Sequence, residues 1–332
     1  MPARLAVVVA AAFVLLQHGY AATAPLNGSH LTHMADDIKR YIGVGIYPGQ
    51  GPNTPARREA VYDGGRKMFD YQLTFQPVYE LRYDEIEAIF ASGREPILNM
   101  EFWMEDRTNT DPVLQHIVAG LFDAPLASFA QVCAAAGRRF TIRTLHEFNG
   151  NWYQWGLLYN AHDPTADKNT VHQLRESFSR IIGIFEHHGA PIDFQLNINS
   201  NNGYDDPRPF SDFWPGTQGL SSVAITSYNR AFSTPAHNFS ESFGEGFQAS
   251  YYQANLPVWV AETGTTSYGT DKPDWYRDAF KTIALQFPRV EQVTFFLYNK
   301  VLEGKNLDWD LNTPEDIKGF VDGYYAMRSL TA

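Results

Sequence analysis

Cysteine is nearly absent from this chain: Cys133 is the only one in 332 residues. A lone thiol forms no intramolecular disulfide and builds no Cys-based metal site. With Ala134 to Ala136 beside it, Cys133 reads as a small buried hydrophobe of a helix. Basic charge is also scarce, with 26 Lys and Arg against 37 Asp and Glu, a net charge of −11. A surface of that sign repels phosphate backbones and uronic-acid polymers, which argues against nucleic acid and polyanionic glycans as partners. The His146-Glu147 pair lacks a second His at the H-E-x-x-H spacing, and His30-x-x-His33 and His187-His188 stand isolated. No metal or cofactor is therefore expected. No linker rich in Pro, Ser or Thr, no internal repeat and no low-complexity tract breaks the chain, so one mature domain is expected.

One apolar run needs a reading of its own. Arg4 precedes a stretch from Leu5 to Leu16, and small residues follow at Gly19, Ala21, Ala22 and Ala24. A run of about 12 residues is too short to span a bilayer comfortably, so it reads as a cleavable signal peptide over residues 1–24. The expectation is a protein secreted or delivered to the periplasm, not inserted in a membrane after cleavage, and monomeric, with residues 25–332 as the catalytic domain.

What the chain has in quantity is hydrophobic residues, at 44%, and aromatics: 7 Trp, 18 Tyr and 23 Phe. Many build a core; others suit the apolar faces of sugar rings. Short β-rich runs recur at 41–47, 71–76, 96–103, 140–147, 194–199, 223–228, 258–262 and 293–298. Between them, residues 57–69, 83–91, 126–136, 171–188, 239–254, 274–287 and 314–327 space apolar residues as helices do. Strands alternating with helices indicate the α/β class and a (β/α)8 TIM barrel. An open doubly wound sheet is the alternative, weakened because no Gly-rich nucleotide loop follows the first strand.

In such a barrel, chemistry sits at the C-terminal ends of strands. The fourth run ends in Arg143-Thr-Leu-His-Glu147, followed by Phe-Asn-Gly-Asn-Trp152-Tyr-Gln-Trp155. Alternation puts Arg143, Leu145 and Glu147 on one side, facing the axis at the rim. The seventh run ends in Val258-Trp-Val-Ala-Glu262, and alternation there places Val258 and Val260 beneath Glu262. Strands four and seven lie on nearly opposite sides of a closed barrel. Two carboxylates facing each other across its mouth are what glycoside hydrolysis needs, one as proton donor and one as nucleophile or as base for water. A separation of about 5–5.5 Å implies retention, and roughly 6.5–9.5 Å implies inversion.

The motif Arg143-x-x-His146-Glu147-x-Asn149-Gly150-x-Trp152-x-x-Trp155-Gly156, with Ala261-Glu262-Thr263-Gly264, and Tyr298-Asn299 followed by Asp308-Trp309, resembles glycoside hydrolase family 26. That resemblance covers most of the mature chain. It implies Glu147 as acid/base, Glu262 as nucleophile, and retention by double displacement. It further implies that Arg143 holds the nucleophile ionised, His146 contacts the reacting sugar, Tyr228 hydrogen-bonds Glu262, and Trp152 and Trp309 form sugar platforms. Asn149, Glu101 beside Trp103, and Tyr298 are further substrate-binding candidates. Simple alternation points His146 away from the axis, so its role requires a local irregularity. Thr144 stands where many relatives have proline, and Ser227 where aspartate commonly precedes the tyrosine. The implied substrate is a neutral β-linked polysaccharide cut internally, most commonly β-1,4-mannan. Mixed-linkage β-glucan, β-xylan, a bacterial exopolysaccharide, or a non-catalytic glycan-binding role remain as alternatives.

Overall fold

The structure is a computed structural model describing residues 40–49, 54–106, 109–302 and 304–331. The signal peptide expected at residues 1–24 lies outside them. The chain divides after Arg40, and the second unit, Tyr41–Ala332, holds a closed parallel barrel in which each strand pairs with the next and the eighth returns to the first. The strands are β1 (Gly43–Tyr47), β2 (Tyr71–Pro77), β3 (Glu95–Glu101), β4 (Phe140–Thr144), β5 (Ile192–Asn199), β6 (Ser222–Asn229), β7 (Val258–Thr265) and β8 (Val290–Phe296). Around them run α1 (Pro55–Asp63), α2 (Tyr83–Ala91), α3 (Leu114–Val118), α4 (Asp123–Ala136), α5 (Val171–His187), α6 (Phe239–Gln253), α7 (Lys272–Gln286) and α8 (Pro314–Thr331). Short α3 and a hairpin of β9 (Lys300–Leu302) with β10 (Lys305–Leu307) are additions that apolar periodicity did not announce.

Local chemistry sets the helix ends. Thr170 and Gln173 form a reciprocal capping box on α5, and Asn238 with Glu241 does the same on α6. The last two helices pack closely because Gly319 and Gly323 leave room. A methyl on Gly319 would lie 2.5 Å from Pro273 Cα, and one on Gly323 would lie 2.9 Å from the Tyr276 carbonyl.

The hydrophobic core is the layer between strands and helices. Val44, Leu196, Val258, Val260, Val293 and Phe295 belong to it, together with Phe280, Ile283 and Phe320 from the helices. Cys133 is buried in the same layer. The barrel interior is largely polar. Arg143 Nε donates to Gln195 Oε1 at 2.8 Å, Gln195 Nε2 donates to Ser222 Oγ at 2.8 Å, and Asn197 Nδ2 donates to Ala224 O and Thr226 Oγ1. At the interior's lower end Tyr71 and Trp259, from strands separated by β8 and β1, bring their rings within 5.4 Å. Trp259 is thus a half-buried floor residue.

The strand termini correct the simple alternation. In β7, Ile225 pairs with Val260 but Thr226 pairs with Glu262, so Ala261 is an extra residue relative to β6. The same extra residue appears against β8, where Val260 pairs with Val293 and Thr263 with Phe295. This bulge reverses the facing of everything beyond it. Val258 and Val260 therefore belong to the helix-side core, and the axis beneath Glu262 is lined by polar groups instead of valines. β4 likewise stops at Thr144, three residues short of Glu147. Leu145 (φ 50°) and Glu147 (φ 53°) adopt left-handed backbone, a strained state for residues with a Cβ.

Candidate active site

The two glutamates meet at the barrel mouth. Glu262 follows the β7 bulge and is 6% exposed. Asn99 Nδ2 from β3 donates to its Oε1 at 3.1 Å, and Tyr228 Oη from β6 donates to its Oε2 at 2.8 Å. The fully buried Arg143 guanidinium lies 3.6 Å from Oε1 and also donates to Ala261 O. Burial lowers this guanidinium to about 10, which leaves it charged at neutral pH.

Glu147 is 8% exposed. Its backbone N–H donates to Asn197 Oδ1 at 2.9 Å, which ties the strained turn to β5. Trp152 Nε1 donates to its Oε2 at 2.6 Å, and the Thr226 and Asn199 side chains lie close enough to draw this carboxyl down. Burial, followed by the charge of Glu262, raises Glu147 to about 7 against those donors. Burial pushes Glu262 up as well, while Arg143, Tyr228, Asn99 and Lys300 pull it back down. Glu262 has the cation and Glu147 does not. Glu262 therefore ionises first, and its charge holds the proton on its partner. The pair thus has one carboxylate and one carboxylic acid near neutral pH, an arrangement suited to nucleophile and general acid.

His146 reaches the site through the break in alternation at Leu145. Leu145 turns into the helix-side core, while the His146 ring meets Phe75 of β2 at 5.9 Å and Tyr153 at 4.5 Å. It is 1% exposed, and neither ring nitrogen has a protein hydrogen-bond partner. Burial and the neighbouring Arg143 charge lower it to about 3, so the imidazole is neutral.

The aromatic candidates divide. Trp152 is 37% exposed, with its N–H on Glu147. Trp309 is only 3% exposed, packed on Tyr228 at 4.9 Å and Phe232 at 5.9 Å. Rather than an open platform, Trp309 is the backing of the tyrosine that holds Glu262. Its loop is fastened by buried Lys272, which donates to the carbonyls of Asp308 and Asp310, and by Arg58, which donates to the Asp310 carboxylate and Leu297 O. Trp103 packs on Trp155 at 5.2 Å and Tyr153 at 5.8 Å. Trp155 is fully buried. Tyr298, 39% exposed, stands edge-on to Tyr47 at 6.0 Å. Glu101 lies close enough for its charge, with those of Glu262 and Tyr298, to help burial raise Tyr47 to about 12.

Asn149 does not fit the substrate-binding expectation. Its side chain accepts from Asn199 N at 2.8 Å and donates to Asn199 O and Asn202 Oδ1 at 2.9 and 3.0 Å, all of it buried. It joins the β4 and β5 loops and has no polar atom left over for a ligand. Asn99, Asn197, Tyr47 and Tyr153 belong to the site and were missed. Asn99 and Asn197 sit at inward positions of strands whose alternating partners are apolar, a signal the sequence carried. Tyr153 fell inside the motif but carried no spacing signal. Among the described residues no group of His, Cys, Asp and Glu is arranged to hold a metal ion.

No family model matches this chain. Among characterised proteins it is similar to Endoglucanase H of Acetivibrio thermocellus, 25% identical over 287 residues; these are 84% of this chain but 30% of that protein's length. Among solved structures it is similar to Bacillus subtilis mannanase man26, with a TM-score of 0.59, 15% identity and 87% of each chain covered. It is also similar to the catalytic domain of a Bacillus sp. GH26 endo-β-1,4-mannanase, with a TM-score of 0.60, 13% identity, and 90% of this chain and 88% of that one covered. The resemblance to glycoside hydrolase family 26 drawn from the motifs thus extends to the fold.

Proposed function

We propose that this protein is a retaining glycoside hydrolase that cleaves internal β-linkages of a neutral polysaccharide, with β-1,4-mannan as the first substrate to test. The observation that carries the reading is the asymmetric carboxyl pair. Glu262 sits against Arg143, Tyr228 and Asn99, and Glu147 is kept protonated by burial and by its neighbour. In the first step Glu262 attacks the anomeric carbon while Glu147 gives its proton to the departing oxygen. In the second, Glu147 takes a proton from water, and the water oxygen displaces Glu262 from the sugar. Neutral His146, with a donor and an acceptor nitrogen both uncommitted to protein, suits a hydroxyl of the reacting sugar.

Mixed-linkage β-glucan is the second reading, favoured by the endoglucanase name of the curated relative. Export, expected from the apolar run after Arg4, would accord with a polymeric substrate too large to enter a cell. Reducing-end release from mannan, lichenan and xylan, with products tracked for anomeric configuration, tests the whole reading. Glu262→Ala and Glu147→Ala are each expected to lower turnover by at least about a hundredfold, since each removes an interaction made in the transition state. Near-normal turnover in either variant, or first-formed products of inverted configuration, would refute the assignment.

A further inference from the structure

The loop after β5 holds an aromatic pair that the carboxyl chemistry leaves unused. Tyr204 is 46% exposed, and its ring stacks on exposed His162 with centroids 4.0 Å apart and planes 25° apart. Tyr204 (φ 56°) and Asp205 (φ 50°) both adopt left-handed backbone, which side chains with a Cβ disfavour and glycine accepts freely. The loop is firmly held. Gly203 N–H donates to Asn149 O at 2.9 Å, Asn202 Nδ2 donates to the carbonyls of Asp206 and Arg208 at 3.0 and 2.9 Å, and Arg208 pairs with Asp206. An exposed aromatic in a conformation that suits glycine, on a loop fixed from both sides, is a ring retained against the backbone's preference.

Its position gives the ring a use. Gly203 abuts the β4 loop so closely that a methyl on it would fall 2.6 Å from Asn151 N and 3.0 Å from Gly150 C. The next residue along that loop is Trp152, whose N–H rests on Glu147. Tyr204 therefore follows directly on a contact with the loop that carries Glu147 and Trp152.

We propose that Tyr204 and His162 form a sugar-stacking platform for the leaving-group side of the β-glycan chain, at least one unit beyond the cleavage point. The apolar face of a pyranose ring packs on the stacked pair, which is rigid before the sugar arrives. This inference rests on the glycosidase reading and names where that site holds its substrate.

The test compares two substrates sharing one glycone: the polymer that the wild type cleaves among mannan, lichenan and xylan, and the matching nitrophenyl glycoside, whose leaving group ends before the platform. Tyr204→Ala and His162→Ala should lower kcat/KM on the polymer about tenfold more than on the nitrophenyl glycoside. Tyr204→Trp should restore polymer activity. Tyr204→Gly should lose polymer activity as the Ala variant does, with a Tm equal to or above wild type. Equal losses on both substrates, no loss on either, or a clear fall in Tm for Tyr204→Gly would overturn the platform while leaving the glycosidase reading intact. A wild type inactive on every probe would overturn both.

Discussion

The contact between Trp152 Nε1 and Glu147 Oε2, at 2.6 Å, makes the working pH of this site adjustable by a single N–H. Trp152→Phe retains an aromatic ring and deletes only the donor. That donor favours the ionised carboxylate, so its loss must raise Glu147 further above about 7. A hydrogen bond to a charged group contributes about 1.5–3 kcal/mol. Trp152 is 37% exposed, so water replaces part of the lost interaction. A net effect of about 1 kcal/mol remains, and at 1.36 kcal/mol per unit it moves the pKa up by ~0.7. The assay is kcat/KM against pH, which reports the groups of the free enzyme. In the wild type the alkaline limb should fall near pH 7 as Glu147 loses its proton. In Trp152→Phe that limb should move to higher pH by roughly half a unit to one unit, while the acid limb governed by Glu262 stays in place. An unmoved alkaline limb, or one displaced to lower pH, would show that Glu147 is not the proton donor or that the indole does not rest on it in the working enzyme.

Two further consequences concern stability. The raised pKa of Glu147 means that the folded protein retains a proton which the unfolded chain releases between about 4.5 and about 7. Stability therefore declines as pH rises through that window, and Glu147→Gln removes the decline, on the order of 3 kcal/mol for a shift of that size. Urea midpoints of both proteins at pH 4.5 and 7.5 should diverge at the upper pH, with the variant more stable; parallel behaviour would contradict the raised pKa. Asn149→Ala leaves the Asn199 N–H and carbonyl without their partner at a buried loop junction and should cost about 1–3 kcal/mol. A urea-melt difference well below 1 kcal/mol would mean the junction is held by something else.

Much of the architecture was legible because apolar periodicity changes cleanly between strands and helices. All eight barrel strands overlap the expected runs, and Glu147 and Glu262 fall at the mouth. What escaped was local geometry. A period of two assumes an uninterrupted strand, and both site strands break it: β7 with Ala261, β4 with left-handed Leu145 and Glu147. Nothing in the side chains of Val260 and Ala261 marks a bulge, since both fit either face of a sheet. Trp309 was a natural platform by residue type, yet an aromatic ring stacks equally well on a sugar or on Tyr228, and only packing decides. Asn149 looked like a ligand residue because a polar side chain in a motif has two equally polar destinations, substrate or backbone. Here the neighbouring loop supplied the partners.

The inserted Ala261 sets a rule for reading relatives. Pair Ala261 regularly with Thr226, and Glu262 would rotate into the greasy sleeve against the helices, while Ala261 turned toward the axis. A homologue could match every letter of the strand and still present an inert opening if its pairing lacked the bulge. The pairing of the strand, more than the identity of any residue flanking it, decides whether the carboxyl meets sugar or hydrocarbon.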